Sequence, residues 1–533
     1  MNKILKPGVA LSTLVSILFV TASAQVAAPP ARSEAALQAS ITSAADTPAI
    51  RAIMDEGIKQ SRVPADLQYL TDVIGPRLTG SVAMRRANDW TARKFREYGM
   101  DSTWLEPWKF GQSWERGPLT LTLLAPHKRQ LYAESWAWSP GTKGPLAGNV
   151  VYVDAKTIAE LKQRFGGKLK GRWVLVAAPV PVWNPDGPPM TQRDSVARDS
   201  VRRVLFAPAA NADEQRYRLE RRDLLAAEGI AGIILSGSKE FALMTMSGSP
   251  SSISPVPQIV VSQETYSQFH RLLALGEIVR IEARITNTMG RDSLLQWNTV
   301  AEIRGSEKPD EVVLLGAHLD SWDLGTGTTD NATGSIAVLE AARILKAAGV
   351  KPKRTIRFVL FSGEEQGLYG SAKYAEAHEK ELNRFQAVAV LDNGTGRIKG
   401  MALQGRDELG ELWKSLFAAV EELGPFAVRS GNKGGTDHLP FLRYGVPAFN
   451  YDQESRGYGH THHSQADTYD HAVLEDVKQA ATVMAATAYQ LANLPELLPR
   501  NAKKTANRES GIGNRESKEM IGAGGSGPDF KEK

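Results

Sequence analysis

Between residues 295 and 495 the chain repeats one pattern: a short apolar run, a loop, then a stretch with apolar residues at helical spacing. The runs at 312–317, 355–361, 387–391 and 446–451 carry few polar interruptions, as strands covered on both faces do. The stretches at 334–348, 371–380, 409–423 and 474–493 predict helices, the last of them stopping at Pro495. Strands alternating with helices in this way build an open, largely parallel sheet with helices on both faces. Residues 50–100 also read as helical, with 87–95 spaced for one buried face. From 140 to 285 the texture changes. Strand-like runs at 173–176, 233–235 and 259–261 are separated by Pro/Gly-rich loops and by a charged helical segment around 193–226. The expectation is an α/β fold with a mixed, largely parallel sheet, formed by 46–139 and 286–497, with a β-rich domain inserted at 140–285.

A chain of 533 residues is too long for one ordinary core, which agrees with that division. Its ends have a different character. Lys3 and Lys6, the apolar stretch 9–20 and the small residues Ala22-Ser23-Ala24 predict a signal peptide over 1–24. The apolar stretch falls short of the ~20 residues a membrane span needs, so cleavage and export to a periplasm or the exterior is the expectation. Residues 25–45, rich in Ala, Pro and Ser, read as a flexible lead-in. Residues 498–533 read as a low-complexity tail, with Asn-Arg-Glu-Ser at 507 and again at 514.

The formal charge of +5 comes from these ends. Lys3, Lys6 and the eight Lys/Arg against five Asp/Glu from Arg500 onward account for all of it. The body is neutral and gives no case for nucleic acid. Cysteine is absent, which excludes disulfides, thiol nucleophiles and thiolate metal sites. Any metal must be held by His, Asp and Glu.

Residues of those types gather where the predicted strands end. His318 and Asp320 follow the first run, Glu364 and Glu365 the second, Asp392 the third, and His460, His462 and His463 the last. Asp330 stands just before the helix predicted from Gly334. Open α/β sheets bind ligands beyond the carboxyl ends of their strands. A carboxylate cluster there repels itself unless cations compensate. Imidazole with carboxylate suits Zn²⁺, with Co²⁺ or Mn²⁺ as alternatives, and two histidines with three carboxylates fit two ions if one carboxylate bridges. Other chemistries are disfavoured. Gly325-Thr-Gly327-Thr-Thr-Asp330 resembles a dinucleotide loop but puts an acid where a pyrophosphate would sit. No Gly-x-Ser-x-Gly, His-Glu-x-x-His or inverted form of the latter occurs.

His318-x-Asp320, Asp330-Asn331-Ala332-Thr333-Gly334, Gly363-Glu364-Glu365-Gln366-Gly367, Leu391-Asp392 and His463-Ser464-x-x-Asp467-Thr468 occur in that order. Over 295–495 the chain resembles the family of bacterial leucyl aminopeptidases, plasma glutamate carboxypeptidase and prostate-specific membrane antigen, with a fainter echo at 74–80. Residues 140–285 are similar to the protease-associated domain that many members carry. The resemblance implies two zinc ions bridged by Asp330, one completed by His318 and Asp392, the other by Glu365 and His463. It makes Asp320 the carboxylate that orients His318, and Glu364 the general base. Neighbours in a loop after a strand point different ways, which agrees with separate roles for Glu364 and Glu365. His460, His462 and the Asp437-His438 pair read as lining or pocket wall.

These expectations describe an exported exopeptidase acting on peptides, aminopeptidase first. A carboxypeptidase or dipeptidase is the alternative, with Arg429, Arg443 and Arg456 as candidates for a terminal carboxylate. A one-metal cyclase and a non-catalytic receptor domain, also found on this fold, are disfavoured because all five ligand positions keep metal-competent residues.

Overall fold

The computed structural model describes residues 47–180, 212–290 and 293–500. The expected signal peptide, lead-in, tail from 501 and first part of the charged segment at 193–226 lie outside the described residues.

One eight-stranded sheet has the spatial order Ser102–Lys109, Leu295–Ile303, Arg354–Phe361, Lys308–His318, Phe385–Val390, Ala448–Gln453, Ile398–Ala402, Ala427–Arg429. The four strands from Arg354–Phe361 to Ala448–Gln453 are mutually parallel. Antiparallel pairings flank them. The sheet is therefore mixed with a parallel centre, as the alternating pattern implied. Side chains alternate across it. Val313, Leu315 and Ala317 enter one core with Ile356, Phe358, Leu360, Ala387 and Ala389. Val312 and Leu314 enter the opposite one with Val359, Phe361, Val388 and Val390. Both faces of these strands are apolar, which explains why the runs showed no polar alternation.

The helices Thr333–Ala347 and Leu474–Asn493 cover the first face, joined by Val82–Glu97. Ser81 starts the last of these, its hydroxyl accepting the Met84 N–H at 3.1 Å. Tyr369–Ala377 covers the second face, where Tyr374 packs on Phe361.

A second eight-stranded sheet takes in Leu119–Ala125, Arg129–Leu131, Ala133–Ser135, Leu146–Tyr152, Trp173–Leu175, Gly232–Ser236, Gln258–Val261 and Arg280–Ile285. It begins about twenty residues before the boundary expected at 140. The reason lies in Leu119-Thr-Leu-Thr-Leu123, whose period-two alternation makes a half-buried strand. Leu121 and Leu123 enter this sheet's own core, and the strand pairs with Arg280–Ile285 from the far end of the insert. Helix Ala212–Ala227 realises the second half of the charged segment. No helix among the described residues is long and apolar enough to cross a membrane.

Phe358 lies at the centre of the first sheet, fully buried, with its ring 6.2 Å from that of Phe95. Phe358→Ala is expected to lower unfolding free energy by about 3–5 kcal/mol, read from urea titration. A loss below about 1 kcal/mol would contradict this packing.

Candidate metal centre

The parallel strands all end on one edge of the sheet, and their register aligns those ends. His318 pairs with Phe361, Gly316 with Val390, and Val390 with Asn450. His318 is the last residue of its strand. Its Nε2 lies 3.3 Å from Asp330 Oδ1 and 3.4 Å from Asp392 Oδ1. Its Nδ1 is 3.0 Å from the Asp320 carbonyl and 3.6 Å from the Asp320 carboxylate. The nearer partner is thus the backbone of Asp320 rather than the carboxylate expected to orient the ring. The carboxylate accepts Thr79 Oγ1–H at 2.8 Å and the N–H groups of Glu364 and Glu365, both at 3.3 Å. It fixes the turn carrying both glutamates.

Asp330 sits in an irregular turn, Thr328–Ala332, with φ −132° and ψ 86°. Asp467 holds that turn from outside, accepting the N–H groups of Thr329 at 2.6 Å and Asp330 at 3.1 Å. Asn331 holds it from below, donating to Leu391 O at 2.9 Å and accepting the Gly334 N–H at 3.0 Å. A Cβ at Gly334 would meet Asn331 Oδ1 at 2.3 Å and Leu391 O at 2.5 Å, so the motif needs glycine there. The turn docks helix Thr333–Ala347 directly on the strand end that leads to Asp392.

The other side of Asp330 faces the histidine loop. His463 Nε2 stands 3.4 Å from Asp330 Oδ2 and 2.9 Å from Glu365 Oε2. His462 stacks on His463 with centroids 3.7 Å apart, its Nε2 3.8 Å from the same Asp330 oxygen. Asp330 Oδ2 is buried without a hydrogen-bond donor. Two overlapping groups have ligand atoms within 4.8 Å of one another: His318 with Asp330 and Glu365, and Asp330 with His462 and His463. An acceptor-only oxygen, orphaned between imidazole nitrogens, fits a cation that it shares. His462, read from the sequence as lining, comes as close as a ligand.

The electrostatics agree. Burial acts to raise the Asp330 pKa, but the His318 hydrogen bond and the charges of His462 and His463 outweigh it and hold it low. Burial pushes Glu364 and Glu365 well above the usual carboxylate range. Asp392 and Asp437 add to this for Glu364, and Asp330 for Glu365. His318 is raised well above its ordinary value: burial opposes this, but Asp392 and Glu364 prevail. His463 is lowered to about 4, chiefly by burial.

The structure brings His318, Asp320, Asp330, Glu364, Glu365, Asp392 and His463 to this one edge. Asp437 is buried beside them, its pKa pushed up to about 7 by burial and partly by Asp392. His438 is instead a packing residue, bonded through Nδ1 to Thr436 and through Nε2 to Gln404 and the Lys433 carbonyl. Of the candidate arginines, Arg429 forms a two-pronged pair with Asp452, Arg456 pairs with Asp476 and Glu454, and Arg443 is exposed.

Two buried neighbours of the site escaped the sequence reading. Arg77, inside the faint echo at 74–80, is fully buried and donates to the carbonyls of Leu319, Gly75, Thr326 and Gly327 at 2.6–3.0 Å. Tyr458 is buried close to Asp330. Burial and the charges of Asp330, Asp392 and Glu365 keep it protonated. A charge conspicuous in the echo could have flagged Arg77; an isolated tyrosine carries no such signal.

Residues 298–488 match the model of peptidase family M28. Over these residues the chain carries a peptidase family M28 domain. It is 28% identical to carboxypeptidase Q of Bos taurus over 451 residues, covering 84% of this chain and 88% of that protein. Aminopeptidase YwaD of Bacillus subtilis (strain 168) is 32% identical over 219 residues, 39% of this chain and 48% of that protein. The structure of a peptidase M28 precursor from Shewanella amazonensis SB2B superposes with a TM-score of 0.68 at 27% identity, covering 87% of this chain and 99% of that one. A zinc aminopeptidase from Bacillus subtilis, at 20% identity and TM-score 0.56, shares the fold over 82% of this chain and 98% of its own. The chain thus carries an M28 peptidase domain, with relatives of both carboxypeptidase and aminopeptidase name.

With metal removed by a chelator, Glu364, Glu365, Asp437 and Asp467 keep protons in the folded chain that they lose near pH 4 when unfolded. His318, also raised, acts in the same direction, and the two lowered histidines, His463 and the buried His438, oppose them but are outnumbered. The folded state binds more protons between about pH 4 and 7, so stability falls as pH rises through that window. The urea midpoint of chelated protein is expected to be lower at pH 7.5 than at pH 5.5, and zinc should restore it. A midpoint that rises over this range contradicts the buried acid cluster.

Proposed function

We propose that this M28 peptidase is a two-zinc exopeptidase that releases residues from the amino end of peptides. The observation that carries it is the Asp330 carboxylate, one oxygen on His318 and the other, orphaned and buried, on His463. In this reading Asp330 bridges, His318 and Asp392 complete one ion, and Glu365 and His463 the other. Zinc in these positions supplies Lewis acidity for amide hydrolysis, with Co²⁺ or Mn²⁺ as possible substitutes. Glu364 takes a proton from the attacking water and delivers it to the leaving nitrogen as the C–N bond breaks. In the same reading Tyr458, kept protonated by burial and by the charges of Asp330, Asp392 and Glu365, is assigned as the phenol donor to charge that develops on the carbonyl oxygen. Asp320 fixes the Glu364–Glu365 turn.

The acid-rich edge formed by Glu364, Asp392 and Asp437 suits a protonated α-amine. The pairing of Arg429 and Arg456 with acids removes two of the cations a carboxylate would need. One observation favours the second reading, carboxypeptidase or dipeptidase: similarity to carboxypeptidase Q extends over 84% of the chain. Peptides are the partners in either case, and nucleic acid and membrane are not. Export to the periplasm or exterior rests on the signal-like residues 1–24, and the division into a catalytic domain and an insert rests on the two sheets.

The α-amine distinguishes the readings. Cleavage should occur on free N-termini and stop on acetylation. Equal turnover of acetylated peptides, with loss on amidating the C-terminus, supports carboxypeptidase.

Roles at the two glutamates separate in metal content. Glu364→Gln should lower turnover by ~10²–10⁴ and keep about two zinc equivalents by elemental analysis. Glu365→Gln should weaken or lose one ion, with partial rescue by excess zinc. Loss of metal in the first variant but not the second reverses the assignments, and a parent enzyme without transition metal ends the two-zinc reading.

A further inference from the structure

The histidine loop is held in part by the inserted domain. Lys239, in a loop after strand Gly232–Ser236, is only 9% exposed and donates to three carbonyls of that loop. They belong to Gly459, to His460 at 3.2 Å and to His462 at 2.7 Å. The Met246 N–H takes the next carbonyl, that of His463, at 3.0 Å. Gln465 closes the contact in both directions, accepting the Met244 N–H at 2.9 Å and donating to Ala242 O at 3.0 Å. Below this lies a shared apolar cluster in which Met244, Met246 and Trp138 meet Trp322. Trp322 in turn sets its ring edge-on to His463, with centroids 5.9 Å apart.

Two physical points make these contacts more than packing. His463 has φ +58°, a conformation that a non-glycine residue keeps only where its surroundings impose it. A buried ammonium needs acceptors for its three donors, and three carbonyls supply them. Lys239 is thereby committed to the loop's backbone and not to substrate. Of the other proposed ligands, His318, Glu365 and Asp392 stand at or just past strand ends of the first sheet, and Asp330 stands just before helix Thr333–Ala347.

We infer that the insert loop around 238–246 is a working part of the metal centre, with Lys239 the positioning residue that holds the His463 loop in its ligating shape. This rests on the two-zinc reading above. The insert then acts on one ion and leaves the other to the first sheet. It is a clamp, and its position sets the affinity of the His463 side.

The test measures zinc affinity by competition with a chromophoric chelator, alongside thermal unfolding and kinetics. Lys239→Met keeps an unbranched side chain one atom shorter and removes its donors. One zinc equivalent should bind about 10–100-fold more weakly while the other is unchanged, the usual size of an outer partner's effect on a metal site. Turnover should fall at limiting zinc and recover in excess zinc, with KM little altered. Lys239→Arg, which can donate to the same carbonyls, should restore most of the affinity. Should Lys239→Met not fold, Gln465→Leu removes the reciprocal contact and is judged on the same two affinities. A folded variant that binds both zinc ions as the parent does, whatever its melting temperature, overturns the inference. A parent chain that takes up no zinc overturns instead the two-zinc reading on which it rests.

Discussion

Carboxylates crowded into a buried space are the constraint around which this molecule is arranged. Asp330, Glu365 and Asp392 meet within contact of two imidazoles, with Glu364, Asp437 and Asp467 close behind. Like charges at such distances in a low dielectric repel strongly, and the group is stable only with compensating positive charge or bound protons. The parallel sheet makes the crowding possible, because its strand ends lie side by side about 4.8 Å apart and each delivers one or two side chains to the same edge.

Holding such a cluster falls to backbone groups more than to ion pairs. Asp467 accepts the N–H groups of Thr329 and Asp330, and Asp320 accepts those of Glu364 and Glu365. Arg77 is the reverse case, a buried guanidinium that spends its donors on carbonyls. Burial lowers its pKa to about 10, yet the nearby Asp467, Asp320 and Asp330 favour its charge. Its cation offsets part of the negative field while its hydrogen bonds tie together the loops after His318 and before Asp330. Ligand loops pinned by backbone bonds keep their side chains aimed without using the ligand atoms themselves, which stay available for a metal.

The inserted sheet stands in the same relation to the His463 loop. Strand-end residues such as His318 inherit their position from the sheet ladder, but His463 lies in a loop well past the end of its strand, Ala448–Gln453. It needs support from elsewhere, and the insert provides it through the Lys239 side chain and the backbone of Ala242, Met244 and Met246. The family M28 domain covers the first sheet's motifs. The contact between the two sheets is a property of this chain's packing.

By itself the sequence determined the parallel strands, the helix Leu474–Asn493 to the residue, and which histidines and acids stand at the strand ends. Uninterrupted apolar runs and strand-end acids are local signals, and neither depends on what packs against them. It also determined that any metal must be held without thiolate. The tertiary structure alone decided the rest. The sheet containing Leu119–Ala125 closes with Arg280–Ile285, a pairing across more than 150 residues that no local pattern contains. Arg429 and Arg456 looked available and proved to be paired, and His438, read as pocket wall, proved to be a satisfied core residue. Lys239, Arg77 and Tyr458 look like any other lysine, arginine and tyrosine along the chain. What distinguishes them is which carbonyls and carboxylates lie within about 3 Å, and that is fixed only when distant segments meet.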